Sequence, residues 1–308
     1  MDDGDSIDAL FRQHQASLEL TRVTAFNARQ PRAAGEMSYW IGEYHPEQYH
    51  AVEVIGPENL REFESRLQQG RLYQSETLST GYPGSIILAH GQPCEPANLA
   101  RLAGMSLAVI QTPLPIKTVI RHLAYSAAET GRNQLHHGVV LSVCGEGVLL
   151  GGASGLGKSG IALELIARGH QLVADDAPLL HRPAGTDRLF AVSPPLLADL
   201  LEVRAAGILD ISKLFGDDAT LAVAPVDLCI DLVRDFQPAA EQRLQAFQSR
   251  INILGVEIPH LHIPLSHTAN PALLVETITR NHVLYKTGYD AGARLIDQQR
   301  QLIKNQTQ

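Results

Sequence analysis

Apolar residues in the first 125 positions fall in short runs, AVEVIG at 51–56, SIILAHG at 85–91 and SLAVIQT at 106–112. Such β-branched and aliphatic runs predict strands, and the stretches between them, ENLREFESRLQQ and EPANLARLA, carry the spacing of amphipathic helices. Strands alternating with helices predict a small, largely parallel sheet covered by helices. The segment PIKTVIRHLAYSAAETGRNQ continues as a helix to Gly131 and runs into a polar stretch, which places a domain boundary near residue 130. This half holds no catalytic constellation.

The pattern changes after His137. GVVLSV and GVLLGG read as strands about a Gly145-Glu146-Gly147 turn, followed by a glycine-rich loop and the helix IALELIARG, closed by Gly169. Further strand-like runs are QLVADD, PLLH, LFAVS, VDLCIDLV and EIPHLHIPL. The last region, from Leu273 to Asn305, predicts two helices separated at Gly288, with a polar tail. The expectation is an α/β protein with a small α/β domain over residues 1–130 and a second domain, 131–308, that carries the chemistry.

Length and charge narrow the function classes. A chain of 308 residues suits two domains, and no apolar run is long enough to span a bilayer. The formal charge of −8, from 25 Lys+Arg against 33 Asp+Glu, provides no basic field for nucleic acid. Cys94, Cys144 and Cys229 are far apart and in no CxxC spacing, so they are expected to be reduced, mostly buried thiols. The acidic start, MDDGDSIDAL, lacks the basic and apolar regions of a secretory signal, and a cytoplasmic protein is expected.

Residues 152 to 159, Gly152-Ala153-Ser154-Gly155-Leu156-Gly157-Lys158-Ser159, match the loop whose backbone N–H groups cradle nucleotide phosphates. There the lysine reaches the β- and γ-phosphates and the serine hydroxyl holds Mg²⁺. The same stretch contains a GxGxxG, and Asp175 lies twenty residues past Gly155, the spacing of a dinucleotide site. Four residues separate Leu150 from Gly155, however, which is too long for that fold and leaves Lys158 and Ser159 without roles. ATP with Mg²⁺ is the favoured reading over a dinucleotide or a structural turn.

Phosphoryl transfer to an alcohol also needs a carboxylate to accept the hydroxyl proton, and Mg²⁺ needs further oxygen ligands. Asp175-Asp176 follows the run Leu172-Val173-Ala174, so if that strand lies beside the loop strand, both carboxylates emerge at the ligand-binding edge. Neighbours on a strand point to opposite faces, which would divide the two roles. A solvated turn before Pro178 is the plain alternative. Glu202 and Arg204, in the otherwise apolar LLADLLEVRAAGILDI, are either a snorkelling surface pair or part of a polar site. Taken alone, His136 and His137 fit ordinary core or surface histidines. His260 and His262 share a strand face, but with no carboxylate or thiolate expected nearby they and His267 read as structural.

Eight segments in order resemble the HPr kinase/phosphorylase family. They are His137-Gly138-Val139, the loop Gly152 to Ser159, Arg168-Gly169-His170, Leu172 to Asp176, Leu201-Glu202-Val203-Arg204, Gly207 to Ile211, Ile253 to Pro259, and Gly288-Tyr289-Asp290-Ala291. The first half matches more weakly, in its α/β pattern and in Thr112-Pro113-Leu114-Pro115. The resemblance implies a P-loop kinase core of the phosphoenolpyruvate-carboxykinase type in the second domain. It implies an enzyme that phosphorylates a serine of the phosphocarrier HPr with ATP and Mg²⁺, and removes that phosphate with inorganic phosphate, giving pyrophosphate. Asp175 would be general base in one direction and general acid in the other. Lys158 would bind the transferred phosphate, Ser159, Glu202 and Asp176 would hold Mg²⁺, and His137 and Arg243 would join the active site. Arg243 aligns by standing ten residues before Ile253. A hexamer contacting HPr near Gly288 to Ala291 is also implied.

The chain departs from the family pattern in places. Gly160 stands where the family has Glu, and Arg204-Ala205-Ala206-Gly207 where it has Arg-Gly-Leu-Gly. In Pro264 to Asn270, Ser266 and Ala269 replace two arginines linked to dephosphorylation. Losing two guanidinium donors weakens binding of a second phosphate anion more than it weakens ATP binding, so the phosphorylase direction is expected to be weak. A nucleotide-binding module without turnover, or a P-loop kinase for a substrate other than HPr, is the remaining alternative.

Overall fold

The apolar runs form strands with their neighbours as expected, in a computed structural model that describes residues 7–24, 40–48, 50–72, 84–105, 107–184, 186–235, 247–267 and 270–306. The chain divides into two compact units, Met1–Ala124 and Tyr125–Gln308. In the first, strands β1 (Thr21–Arg22), β2 (Ile41–Glu43), β3 (Val52–Ile55), β4 (Ser85–Leu88) and β5 (Ala108–Gln111) form one sheet in the order β1-β5-β4-β3-β2. Strands β2 to β5 are parallel and β1 is antiparallel to β5. Every residue of β3 and β4 is buried, as a strand covered on both faces requires.

Helices α1 (Ile7–His14), α2 (Pro57–Gln69) and α3 (Pro96–Gly104) belong to this unit. Helix α2 starts on Pro57, whose missing N–H costs nothing there, and stops at Gly70 with φ 69°. Its stripe Leu60, Phe63 and Leu67 packs with Ile86, Leu88 and Leu102. Helix α4 (Ile116–Thr130) follows.

The second unit has its main sheet in the order β16-β17-β15-β8-β7-β9, from β7 (Val139–Val143), β8 (Glu146–Gly152), β9 (Gln171–Ala174), β15 (Leu228–Val233), β16 (Arg250–Ile253) and β17 (Val256–Pro264). Strands β8, β15 and β17 are mutually parallel. β7 runs antiparallel to both β8 and β9. A second sheet joins β14 (Val223–Pro225), β11 (Phe190–Val192), β10 (Leu179–Arg182) and β6 (Arg132–Leu135), and β12 (Leu200–Val203) pairs with β13 (Gly207–Asp210) as a hairpin. Helices α5 (Lys158–Ala167), α6 (Ile211–Phe215), α7 (Pro271–Lys286) and α8 (Ala291–Gln306) complete the unit.

Alternation along the central strands builds two cores. Leu150, Leu228, Ile230 and Leu232 pack with Ile161, Leu165 and Val275 of α5 and α7. The opposite side chains, Val140, Leu149, Cys229 and Ile258, pack with Leu180, Ala191 and Ala224 of the second sheet.

Three local expectations are corrected. The polar stretch after Gly131 is strand β6, exposed along its length and held by backbone pairing with β10 rather than by burial. The β7–β8 turn is Cys144-Gly145, not Gly145-Glu146-Gly147. Both turn residues have positive φ, 51° and 82°, and Glu146 already pairs with Val143. Of the cysteines, Cys229 is buried but Cys94 and Cys144 are only half-buried. Burial pushes the Cys229 thiol up to about 12. Among the described residues no helix is long and apolar enough to cross a membrane.

Candidate functional site

The loop predicted from residues 152 to 159 joins β8 to α5, and three of its glycines take backbone angles that other residues avoid. Gly152, Gly155 and Gly157 have φ of 117°, 81° and 87°. At Gly152 the constraint is also one of space, since a Cβ would lie 2.5 Å from the Leu232 carbonyl oxygen of the adjoining strand. Lys158 opens α5 and is buried, yet its ammonium is satisfied: Nζ donates to the carbonyls of Gly152 at 2.9 Å and Ala153 at 3.2 Å. Ala153, Ser154, Gly155 and Gly157 are exposed, Ser159 is half-buried in the first helical turn, and Leu156 anchors the loop to the core. The loop thus presents backbone amides and a helix N-terminus outward, over a tethered cation.

Strand β9 does not lie beside β8 as the sequence reading supposed; β7 intervenes. Two antiparallel steps leave β9 pointing the same way as β8, so Asp175 still leaves the sheet at the edge where the loop begins. The two carboxylates diverge, but not by strand alternation. β9 ends at Ala174, and Asp176 takes φ 62°.

Asp175 turns inward, 7% exposed, and its Oδ2 accepts the backbone N–H of Glu202 at 2.9 Å. Burial raises its pKa above the ordinary aspartate value; the Glu202 N–H opposes the shift and the Asp176 and Glu202 charges add to it. Asp176 turns outward, with Oδ1 3.0 Å from His137 Nδ1, both side chains being largely exposed.

The hairpin places Glu202 and Arg204 beside Asp175 and the loop. Leu201 is fully buried and fixes β12, which brings the Glu202 backbone to Asp175 and leaves the Glu202 side chain exposed. Arg204, at the hairpin tip, approaches the loop. Its Nη2 lies 3.9 Å from where a Cβ on Gly155 would be. Arg243 and Ala269 lie outside the described residues. Ser266 is exposed, and its backbone N–H donates to the Arg234 carbonyl at 3.1 Å.

Asp231 is a residue the sequence reading passed over. It stands in β15 opposite Gly151, and a Cβ on that glycine would lie 2.0 Å from its Oδ1. The expectation that His260 has no carboxylate near it is wrong, since Asp231 Oδ2 is 2.9 Å from His260 Nε2. The available signal was the two charges, Asp227 and Asp231, inside the otherwise apolar run VDLCIDLV.

The donors present suit ATP and Mg²⁺: positive-φ glycines and a cation for the phosphates, and for the ion the hard oxygens of Ser159, Asp176 and Glu202. An α/β unit with such a loop and a buried carboxylate at the same sheet edge has the parts of a phosphoryl-transfer protein. The HPr Serine kinase C-terminal domain matches residues 128–299. The chain is 33% identical over 309 aligned positions to the HPr kinase/phosphorylase of Paraburkholderia xenovorans, covering 97% of this chain and 95% of that one. The Burkholderia multivorans HPr kinase/phosphorylase gives the same identity and coverage. The solved structure of the Hpr(Ser) kinase/phosphatase from Coxiella burnetii is 35% identical, with a TM-score of 0.48 over 53% of this chain and 98% of that one. The chain belongs to the HPr kinase/phosphorylase family.

Proposed function

We propose that this protein transfers the γ-phosphoryl group of ATP, with Mg²⁺, to a serine hydroxyl of the phosphocarrier HPr, and cleaves the product with inorganic phosphate. One observation carries the reading: a buried carboxylate, Asp175, sits at the sheet edge from which a lysine-tethered phosphate loop springs, in a family member. The second unit is read as a P-loop core of the phosphoenolpyruvate-carboxykinase type, with the domain division at 130/131 and a hexameric assembly.

In the kinase direction the loop amides from Gly152 to Ser159 and the α5 N-terminus bind the phosphates, and Lys158 turns from the loop carbonyls to the transferred group. The serine oxygen attacks the γ-phosphorus, the bond to the ADP oxygen breaks, and Asp175 takes the hydroxyl proton. Its raised pKa makes it a stronger base than an exposed aspartate. The Glu202 N–H orients it, while His137 holds Asp176 in place. Ser159, Glu202 and Asp176 would hold Mg²⁺, which when bound would supply charge neutralisation at the phosphates. Arg204 and Arg243 add positive charge where the transition state spreads negative charge.

In reverse, a phosphate oxygen attacks the phosphoserine phosphorus, the bond to the serine oxygen breaks, and Asp175 returns the proton to that oxygen. Pyrophosphate leaves. One constellation serves both directions. With Ser266 and Ala269 in place of arginines, the reverse reaction is weak. The test is to supply phospho-HPr and inorganic phosphate and follow pyrophosphate beside the forward reaction. Release at rates matching the kinase direction contradicts the weakened phosphorylase, and ATP binding without transfer to HPr contradicts the whole reading.

A further inference from the structure

Residues i and i+2 of a strand share a face, and partners on the next strand stand about 5 Å away. Two polar pairs in register on adjacent strands therefore make a four-cornered cluster. β15 and β17 form one: Cys229 is the register partner of His260, and Asp231 of His262. The Cys229 thiol, the Asp231 carboxylate and a His260 ring nitrogen all lie within 4.8 Å of one another, and the ring centroids of His260 and His262 are 4.5 Å apart. Gly151, by carrying no Cβ, leaves the space that the Asp231 carboxylate occupies.

Thiolate, imidazole and carboxylate together are the ligand types of Zn²⁺, not of Mg²⁺. A second cluster, Cys144, His170 and Glu276, has the same composition but a different field. Its carboxylate is already engaged by two guanidiniums, Arg168 at 3.3 Å and Arg280 at 2.8 Å, which oppose a further cation. The Asp231 carboxylate instead contacts His260, which is itself a ligand type.

We propose that Cys229, Asp231 and His260 bind one Zn²⁺-class ion, its fourth position left to solvent, at a site distinct from the Mg²⁺ position of the phosphate loop. Binding releases the thiol proton to solvent and replaces the His260–Asp231 contact by two bonds to the ion. The ion ties β17 to β15 beside the strand that carries the loop, and so stabilises that edge of the sheet.

The test uses full-length, untagged protein, stripped with a chelator and titrated with Co²⁺ and then Zn²⁺ in excess Mg²⁺. The expected result is one equivalent bound, a thiolate-to-Co²⁺ charge-transfer band that Cys229→Ser abolishes, and a rise in unfolding temperature with Zn²⁺. His260→Gln and Asp231→Asn weaken Zn²⁺ binding by about tenfold or more, while His170→Gln leaves it unchanged. If any of these variants fails to fold, the band in the wild-type protein and its persistence in His170→Gln still decide the matter. The chain has 13 histidines, so binding without the band, or binding that His260→Gln does not weaken, means an adventitious ion only and overturns the proposal. Failure of the stripped protein to bind Co²⁺ overturns it as well.

Discussion

Replacing Asp175 by Asn separates proton transfer from architecture. The side chain is 7% exposed and accepts the Glu202 N–H at 2.9 Å, an interaction that an amide oxygen preserves with nearly the same shape. Asn cannot take the serine proton, and a positioned general base contributes about 10²- to 10⁴-fold, or about 3–5 kcal/mol of activation free energy. Transfer to HPr should fall by that factor while ATP affinity changes by less than about threefold, since Asp175 binds no nucleotide in this account.

Stability moves the other way. Because burial raises the Asp175 pKa, the folded state holds its proton more tightly than the unfolded state does. Stability in the wild-type protein therefore falls as pH rises from the ordinary aspartate value through the raised one. The Asn variant has no such loss, and at pH 7 should unfold at the same temperature as the wild-type protein or higher. The assays are labelled-phosphate transfer, calorimetric ATP binding and thermal unfolding across pH. Transfer within tenfold of wild type, or loss of ATP binding together with transfer, refutes the reasoning.

Further outcomes follow from other contacts. Gly152→Ala puts a Cβ 2.5 Å from the Leu232 carbonyl at φ 117°, and should cost about 1–3 kcal/mol or more in chemical denaturation together with weaker ATP binding. Lys158→Met removes the donor to the Gly152 and Ala153 carbonyls, and should abolish transfer and weaken ATP binding as seen by calorimetry. Glu146 is held below the ordinary glutamate range by His282, 3.4 Å away, and by Lys286 at 2.8 Å. That contribution is present above the ordinary glutamate pKa and lost as pH falls through the lowered one. Glu146→Gln should therefore be less stable at pH 7, with the difference shrinking in acid unfolding scans. Leu165→Ala, in the fully buried face of α5, should cost about 2–5 kcal/mol in denaturant titration.

Much of the site could be read in one dimension because its parts are local. The loop needs glycines at fixed offsets and a lysine that opens a helix, and both are sequence properties. Asp175-Asp176 was likewise visible as charge closing an apolar run, although the reason the pair diverges, the left-handed turn at Asp176, was not. What escaped was set by pairing at a distance. The exposed strand β6 carries no burial pattern and exists through its hydrogen bonds to β10. The hairpin pairs locally, but the bond that brings its Glu202 backbone to Asp175 joins residues 27 apart. Asp231 and His260 meet only because β15 and β17 lie parallel in one register.

The most direct measurement of the central claim is transfer from γ-labelled ATP, with Mg²⁺, to purified HPr. The account predicts label on a single serine of HPr, absent when that serine is replaced by alanine, and absent again when Lys158→Met is the enzyme. Bound ATP with no label on HPr would contradict it.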